Sequence, residues 1–287
     1  QHSNSSAIRT EYVFYEEESQ QTARPADTRT FNVNFQLGRW DNRRLYKFFD
    51  FALTGDQFAE ISNKYNICLA TQSSLERLNS LVEVANHWAS SISVSVFIAG
   101  NEFSLVEFYV SYLRQCFPQI RDHVSFHLAF SSDYPPLEDH FSFIINQDCD
   151  KPEVVLKELV QYRTQETSQW RQNMMYPQNH LRNQARKNCQ SSYVFLTDID
   201  IIPSYGMAEE IDIFLKTMLC EKLCAYVIPV YELDESVSFP KNKSELVQFA
   251  KTGLARPFHD KIYKSAQFST DYKRYGIRSF NIYFSIT

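Results

Sequence analysis

The residues best placed for chemistry are two aspartates one position apart at the end of an apolar run, Tyr193-Val-Phe-Leu-Thr-Asp198-Ile-Asp200-Ile-Ile-Pro-Ser204. The run reads as a strand over residues 193–198, and Pro203 prevents it from continuing. In extended backbone alternate side chains share a face, so Asp198 and Asp200 are expected to point the same way. Two hard oxygen donors at the open end of a strand suit Mn²⁺ or Mg²⁺, with diphosphate oxygens and water completing the shell. Such an ion offsets the charge that develops on a leaving diphosphate. Asp148-Cys149-Asp150 repeats the spelling without the setting. There Asp150 reads as a helix N-cap with Glu153 completing a capping box, and no strand delivers the pair to a crevice.

Other chemistries leave no signature. Six glycines, at 38, 55, 100, 206, 253 and 276, assemble neither GxGxxG nor GxxxxGK[ST]. The seven histidines are scattered, and no local Ser-His-Asp or Cys-His arrangement stands out. Phosphatases of the haloacid-dehalogenase type also place Asp-x-Asp after an apolar strand, with the first Asp as nucleophile. Here the pair comes late in the chain and no Asp-Asp pair follows it.

The elements that must position the aspartates alternate in type. Residues 67–70 form a short apolar strand, followed by Ser73 and Glu76 as a capping box. Leu75, Leu78, Leu81, Val82, Ala85 and Trp88 recur at helical spacing. Strands are expected over 93–99 and 124–130, and helices over 103–113 and from Asp150 to about Tyr162. A polar helix over 179–189 precedes the aspartate strand. A helix near 207–219 and a strand over 224–230 follow it. This alternation implies βαβ crossovers, an α/β fold with a mostly parallel sheet, and a site in the crevice beyond the strands' carboxyl ends. Residues 1–30 are polar and aperiodic, a flexible stem or tail, and the ordered domain is expected over 31–287.

The bulk properties agree with one large domain. Of 287 residues 44% are hydrophobic and 22% charged, with net charge −5. No basic block runs along the chain, which argues against nucleic acid as a partner. No apolar run reaches the roughly 18 residues that span a bilayer. The cysteines (68, 116, 149, 189, 220 and 224) suit either a disulfide framework or buried thiols, and without a CxxC pair they do not suggest zinc. Asn-x-Ser sequons at Asn4 and Asn242 favour a secreted route weakly.

Two blocks carry a resemblance. One is Tyr176-Pro-Gln-Asn179-His-Leu-Arg182-Asn183-Gln-Ala-Arg186 with Phe195-Leu-Thr-Asp198-Ile-Asp200-Ile-Ile-Pro-Ser204. The other is Ile228-Pro-Val-Tyr-Glu232 with Pro240-Lys-Asn-Lys-Ser-Glu245-Leu and Gly253-Leu-Ala-Arg-Pro257-Phe-His259. With a weaker match at Leu69-Ala-Thr71-Gln-Ser73 and Ser93-Val-Ser-Val-Phe97, the chain resembles glycosyltransferase family 49 over roughly residues 65–275. The resemblance implies a GT-A type fold, Mn²⁺ (with Mg²⁺ as substitute) on Asp198 and Asp200, and a UDP-sugar donor. It implies inverting transfer, of glucuronic acid, to a sugar at the end of a protein-linked glycan. Thr71, Asn179, Arg182 and Asn183 are then donor-side candidates, and Glu232 and Asp234 are candidate bases for the acceptor hydroxyl. The implied location is the Golgi lumen, as a type II membrane protein whose anchor lies outside this chain. A homo-oligomer is compatible with all of this.

The chain departs from the family in its last residues. A long C-terminal portion, with acceptor-site aromatics and a late histidine ligand, is expected after the block at residues 271–275. Here the chain runs to Thr287, and no histidine holds that late position. The expectation is a shortened domain. Three readings stay open: a glycosyltransferase, a relative that binds nucleotide-sugar or glycan without turnover, and a phosphatase.

Overall fold

In the computed structural model, residues 30–137, 143–218, 223–263, 270–272 and 284–286 are described. Apart from Thr30 the expected stem lies outside them, as do Asn4, His140 and Cys220. In chain order the elements are β1 (Arg39–Trp40), β2 (Tyr46–Leu53), α1 (Phe58–Lys64), β3 (Ile67–Ser74), α2 (Ser80–His87), β4 (Ile92–Phe97), α3 (Glu102–Cys116), α4 (Pro118–His123) and β5 (Val124–Ser131). They continue with α5 (Pro152–Val160), α6 (Gln165–Asn173), α7 (Gln178–Asn188), β6 (Tyr193–Leu196), β7 (Ile202–Pro203), α8 (Met207–Thr217), β8 (Val230–Leu233), α9 (Lys243–Thr252), β9 (Ala255–Pro257) and β10 (Phe284–Ile286).

The expected α/β architecture is present. One six-stranded sheet runs β1-β2-β5-β4-β3-β6. β5, β4, β3 and β6 are mutually parallel, and β2 and β1 extend the sheet antiparallel. A second sheet runs β7-β10-β8-β9.

Alternation explains the two faces of the large sheet. Ile92, Val94 and Val96 of β4 and Val124, Phe126, Leu128 and Phe130 of β5 enter the main core with α2 and α3. Ser93, Ser95, Ser125 and His127 occupy the alternate positions and are fully buried. Ser93 and Ser95 meet α7, whose Leu181 packs with Phe48, Phe97 and Ala129, while Ser125 Oγ accepts Gly55 N–H (3.2 Å). Small polar residues let the helix approach closely, and each finds a partner. Ser93 Oγ donates to Ala185 O (2.7 Å) and Ser95 Oγ to Gln184 Oε1 (2.6 Å).

Several expectations need correction. Ser73 caps no helix: it belongs to β3, its hydroxyl donates to Ser74 O, and a short 3-10 turn, Leu75–Arg77, comes before α2. Asp150 is not a cap either. Helix α5 starts from Lys151 without a side-chain cap, and Asp150 N–H turns back to Asp148 Oδ1 (3.0 Å). The strand expected over 224–230 lies at β8 instead. Pro229 has no N–H to give a ladder, and Tyr226 and Val227 are exposed. The cysteines form disulfides: Cys68–Cys189 and Cys116–Cys149 are bridged, and Cys224 is disulfide-bonded as well. Among the described residues no helix is long and apolar enough to cross a membrane.

Candidate functional site

Strand order creates the site. The chain steps from β3 to β4 to β5 in one direction, then returns to place β6 on the other side of β3. Between two strands whose connections leave in opposite directions, a crevice opens beyond the carboxyl ends. Gln72, Ser73 and Ser74 end β3 there, and Arg77 follows in the 3-10 turn. Asp198, Ile199 and Asp200 come just after β6, and Tyr176 and Gln178 stand at the entry to α7. Together they line an open cleft of about 270 Å³.

The aspartates reach the cleft by a different route from simple strand alternation. β6 ends at Leu196, and Ile201 N–H bonds to Asp198 O (3.1 Å), closing a turn over residues 198–201. Asp198 Oδ1 accepts from Arg182 Nη2 (2.6 Å), Gln72 Nε2 (3.3 Å) and Gln178 Nε2 (3.4 Å). Gln72 Oε1 in turn accepts the Tyr176 hydroxyl. Burial pushes the Tyr176 phenol up, so it remains a neutral donor. Asp200 lies 3.9 Å from Arg77 with both side chains well solvated, a weak pair. Asp200 thus faces Arg77 in the cleft, while Asp198 is held by Arg182, which does not itself line it.

Each wall is braced from behind. Glu76, next to Arg77, pairs with Arg163 (2.5 Å), which also meets the fully buried Glu102 (2.8 Å). Burial alone would raise the Glu76 pKa, but Arg163 and Ser74 outweigh it and hold it at about 2. Arg171 binds the same Glu102 and donates to Phe97 O (2.9 Å) at the end of β4. On the other wall, α7 is fixed at its carboxyl end and beneath its middle. Cys189, just past its carboxyl end, is bridged to Cys68 of β3. A line of neutral groups crosses beneath its middle: Phe51 N–H donates to His127 Nδ1 (2.7 Å), His127 Nε2 bonds Ser93 Oγ (2.9 Å), and Ser93 donates to Ala185 O.

Of the residues singled out in the sequence, Asp198, Asp200 and Arg182 are brought together, and the others are not. Thr71 is fully buried, its hydroxyl without a partner among the described residues, because it points to the opposite face of β3 from Gln72. Asn179 and Asn183 are exposed on α7 outside the cleft lining, which takes Gln178 from that helix. Glu232 sits inside β8, bound by Arg256 Nε (2.5 Å) and His259 N–H (2.9 Å). Burial would raise its pKa, but these two partners hold it below the usual carboxylate range. Asp234 is fully exposed and accepts from Ser236 N–H and Oγ. Neither is among the residues that line the cleft.

Gln72, Arg77, Tyr176 and Gln178 were not legible as site residues from type alone. Their signal was position, three of them within or next to the blocks that carry the resemblance. Among the described residues no group of three His, Cys, Asp or Glu side chains could hold a metal. The donor set in the cleft is the two carboxylates, which fits a hard divalent cation whose other positions are filled by phosphate oxygens and water.

Comparison with known proteins agrees with this geometry. Residues 66–281 match the family described as glycosyl-transferase for dystroglycan. The chain is similar to beta-1,4-glucuronyltransferase 1 of Danio rerio, 30% identical over 216 residues, covering 72% of this chain and 49% of the relative. The same protein of Homo sapiens is 30% identical over 219 residues, covering 73% and 51%. Xylosyl- and glucuronyltransferase LARGE2s of Gallus gallus is 24% identical over 221 residues, covering 76% and 24%. The chain therefore spans about half the length of the glucuronyltransferases it matches.

Proposed function

The chain belongs to the family described as glycosyl-transferase for dystroglycan, and from that membership we propose that it is a metal-dependent, inverting glycosyltransferase. In this proposal the enzyme moves a sugar, glucuronic acid first, from a UDP-sugar to a terminal sugar of a protein-linked glycan, in the Golgi lumen. The observation that carries it is the cleft at the β3–β6 switch point, with Asp198 and Asp200 facing the end of β3.

The roles follow from the chemistry of the lining. Asp198 and Asp200 would hold Mn²⁺ or Mg²⁺, which when bound neutralises charge on the departing diphosphate. Arg182, now on Asp198, and Arg77, beside Asp200, are the cations within reach of donor phosphates. Gln72, Tyr176 and Gln178 form one hydrogen-bonded set that keeps Asp198 in place. In the transfer, an acceptor hydroxyl attacks the anomeric carbon from the face opposite the diphosphate, the bond from C1 to the phosphate oxygen breaks, and the hydroxyl proton passes to a base. Glu232, held by Arg256 and His259 N–H, and Asp234, held by Ser236, are the candidate carboxylates for that base.

Calorimetry with UDP tests the donor half. Binding should require Mn²⁺ or Mg²⁺ and be lost in Asp198→Asn and Asp200→Asn, while Asp148→Asn binds like the parent chain. UDP affinity unchanged in EDTA would overturn the reading. Incubation with a panel of UDP-sugars and xylose- or galactose-terminated acceptors then separates transfer from binding alone, and phosphate release from monoesters would instead mark a phosphatase.

A further inference from the structure

The sequon Asn242-Lys243-Ser244 plays no part in the cleft, yet the fold presents it in a particular way. Asn242 is exposed, with extended backbone (φ −157°, ψ 169°), and stands as the N-cap of α9. Its side-chain oxygen accepts Glu245 N–H (3.0 Å), and its backbone oxygen accepts Leu246 N–H (3.2 Å). Glu245 reaches back to Lys241 N–H (2.8 Å), and the Lys243 side chain turns inward and is buried. The turn is thus held by the oxygen of the Asn242 amide and by its neighbours. Asn242 Nδ2 makes no hydrogen bond among the described residues. The disulfides Cys68–Cys189 and Cys116–Cys149 independently place the chain in an oxidising compartment, where sequons meet the glycosylation machinery.

We propose that Asn242 is an N-glycosylation site, and that its amide divides two tasks: the oxygen caps α9 and the nitrogen carries the glycan. The co-substrate is an oligosaccharide linked through a diphosphate to a lipid carrier. A bond forms between Asn242 Nδ2 and the anomeric carbon of the first sugar. The bond from that carbon to the diphosphate oxygen breaks, the lipid diphosphate leaves, and one amide proton passes to the base of the transferring enzyme. The product is a secondary amide that keeps its carbonyl, so the cap to Glu245 N–H survives modification. The proposal is independent of what the cleft binds.

The test expresses the whole chain behind a secretory leader in animal cells and maps the peptide containing Asn242 from both medium and lysate. A variant that is retained in the cell is then still scored. Treatment with peptide:N-glycosidase should convert residue 242 from Asn to Asp in the parent chain. Ser244→Ala destroys the sequon and keeps the cap, so it should lose the glycan without losing thermal stability. Asn242→Gln should lose both. Unmodified Asn242 in the secreted, disulfide-bonded parent chain would overturn the proposal. So would a glycan at Asn242 that persists in Ser244→Ala, or a parent whose glycosylated form has lost the α9 cap as judged by a lower melting temperature than the unglycosylated Ser244→Ala chain.

Discussion

Asp198, which lines the cleft, and Arg182 neutralise each other at 2.6 Å, with each side chain about one-third exposed. A nucleotide diphosphate would compete with Asp198 for that guanidinium, and a divalent cation would compete with Arg182 for the carboxylate. Each ligand therefore removes the obstacle to the other. A charge-assisted hydrogen bond contributes about 1.5–3 kcal/mol and an exposed ion pair about 1 kcal/mol or less. Arg182→Ala should accordingly weaken UDP binding in Mn²⁺ by roughly 10- to 100-fold, with Arg77→Ala less affected because its pairing to Asp200 is longer and more solvated. Arg186, exposed one turn further along α7, is the control and should change little. Arg182→Ala should at the same time leave the affinity for Mn²⁺ alone undiminished, since it uncovers Asp198. Calorimetric titrations of the three variants check this, and equal losses at all three positions would mean a solvated helix face rather than a donor contact. Glu232→Gln gives the complementary result: it loosens the contact to Arg256 and lowers folding stability by about 1 kcal/mol, while UDP binding holds.

At the scale of elements, α7 is the part on which the cleft depends, and its two fixings answer to different conditions. The Cys68–Cys189 bridge closes a sequence separation of 121 residues. Removing a bridge of that span costs about 2–5 kcal/mol, so the double variant Cys68→Ser with Cys189→Ser should melt well below the parent, as circular dichroism will read. His127 answers to pH. Burial lowers its pKa from 6.5 to about 4, against the nearby charge of Asp50, and it sits in the line from Phe51 to Ala185 as a neutral ring. Above pH 6.5 the ring is neutral whether the chain is folded or not, and the interaction is fully present. As pH falls from 6.5 to 4 the unfolded chain takes up a proton that the folded chain refuses, and stability drops by on the order of 3 kcal/mol. Denaturant melts at pH 7 and pH 4.5 should differ by most of that amount, and much less in His127→Gln. These contacts also mark what the sequence made legible. The β-branched run over 93–99 announced β4, and the apolar helical spacing announced the face of α2. β2 was missed because its register shifts at a bulge where Phe51 takes φ 52°. α6 was missed because it has little apolar face, although Thr164 caps it by accepting Thr167 N–H. Thr71 and Gln72 are neighbours in a period-two element, where a step of one residue sends a side chain to the opposite face, and it is Gln72 that lines the cleft.

At the scale of the whole molecule the two sheets are unequally supported. The large sheet is covered by a core drawn from β3, β4, β5 and the helices around them. Among the described residues the second sheet gathers a smaller cluster, Tyr231, Leu233, Leu246 and Ala255, with Val237, Phe239, Phe249 and Tyr272 against it. Segments with few buried apolar contacts open at lower free energy than the core, so β8, β9 and α9 should exchange amide hydrogens well before β3, β4 and β5. The two parts meet at β7, which follows the aspartate turn directly and pairs with β10. There His87 of α2 bonds Pro203 O (2.9 Å) and packs on Tyr205 and Phe239. Burial lowers the His87 pKa below the usual imidazole value, against the opposing pull of Pro203 O and Glu83. A ligand in the cleft holds the turn over residues 198–201 and the entry to α7, and through the turn it restrains β7. Hydrogen exchange with UDP and Mn²⁺ present should therefore slow at residues 198–203 and at the amino end of α7, and slow little in α9, which shares no residue with the cleft. Uniform protection of both sheets in the absence of ligand would mean that the molecule opens as one cooperative unit. Protection by ligand at α9 as large as that at the turn would mean that the second sheet belongs to the binding site itself.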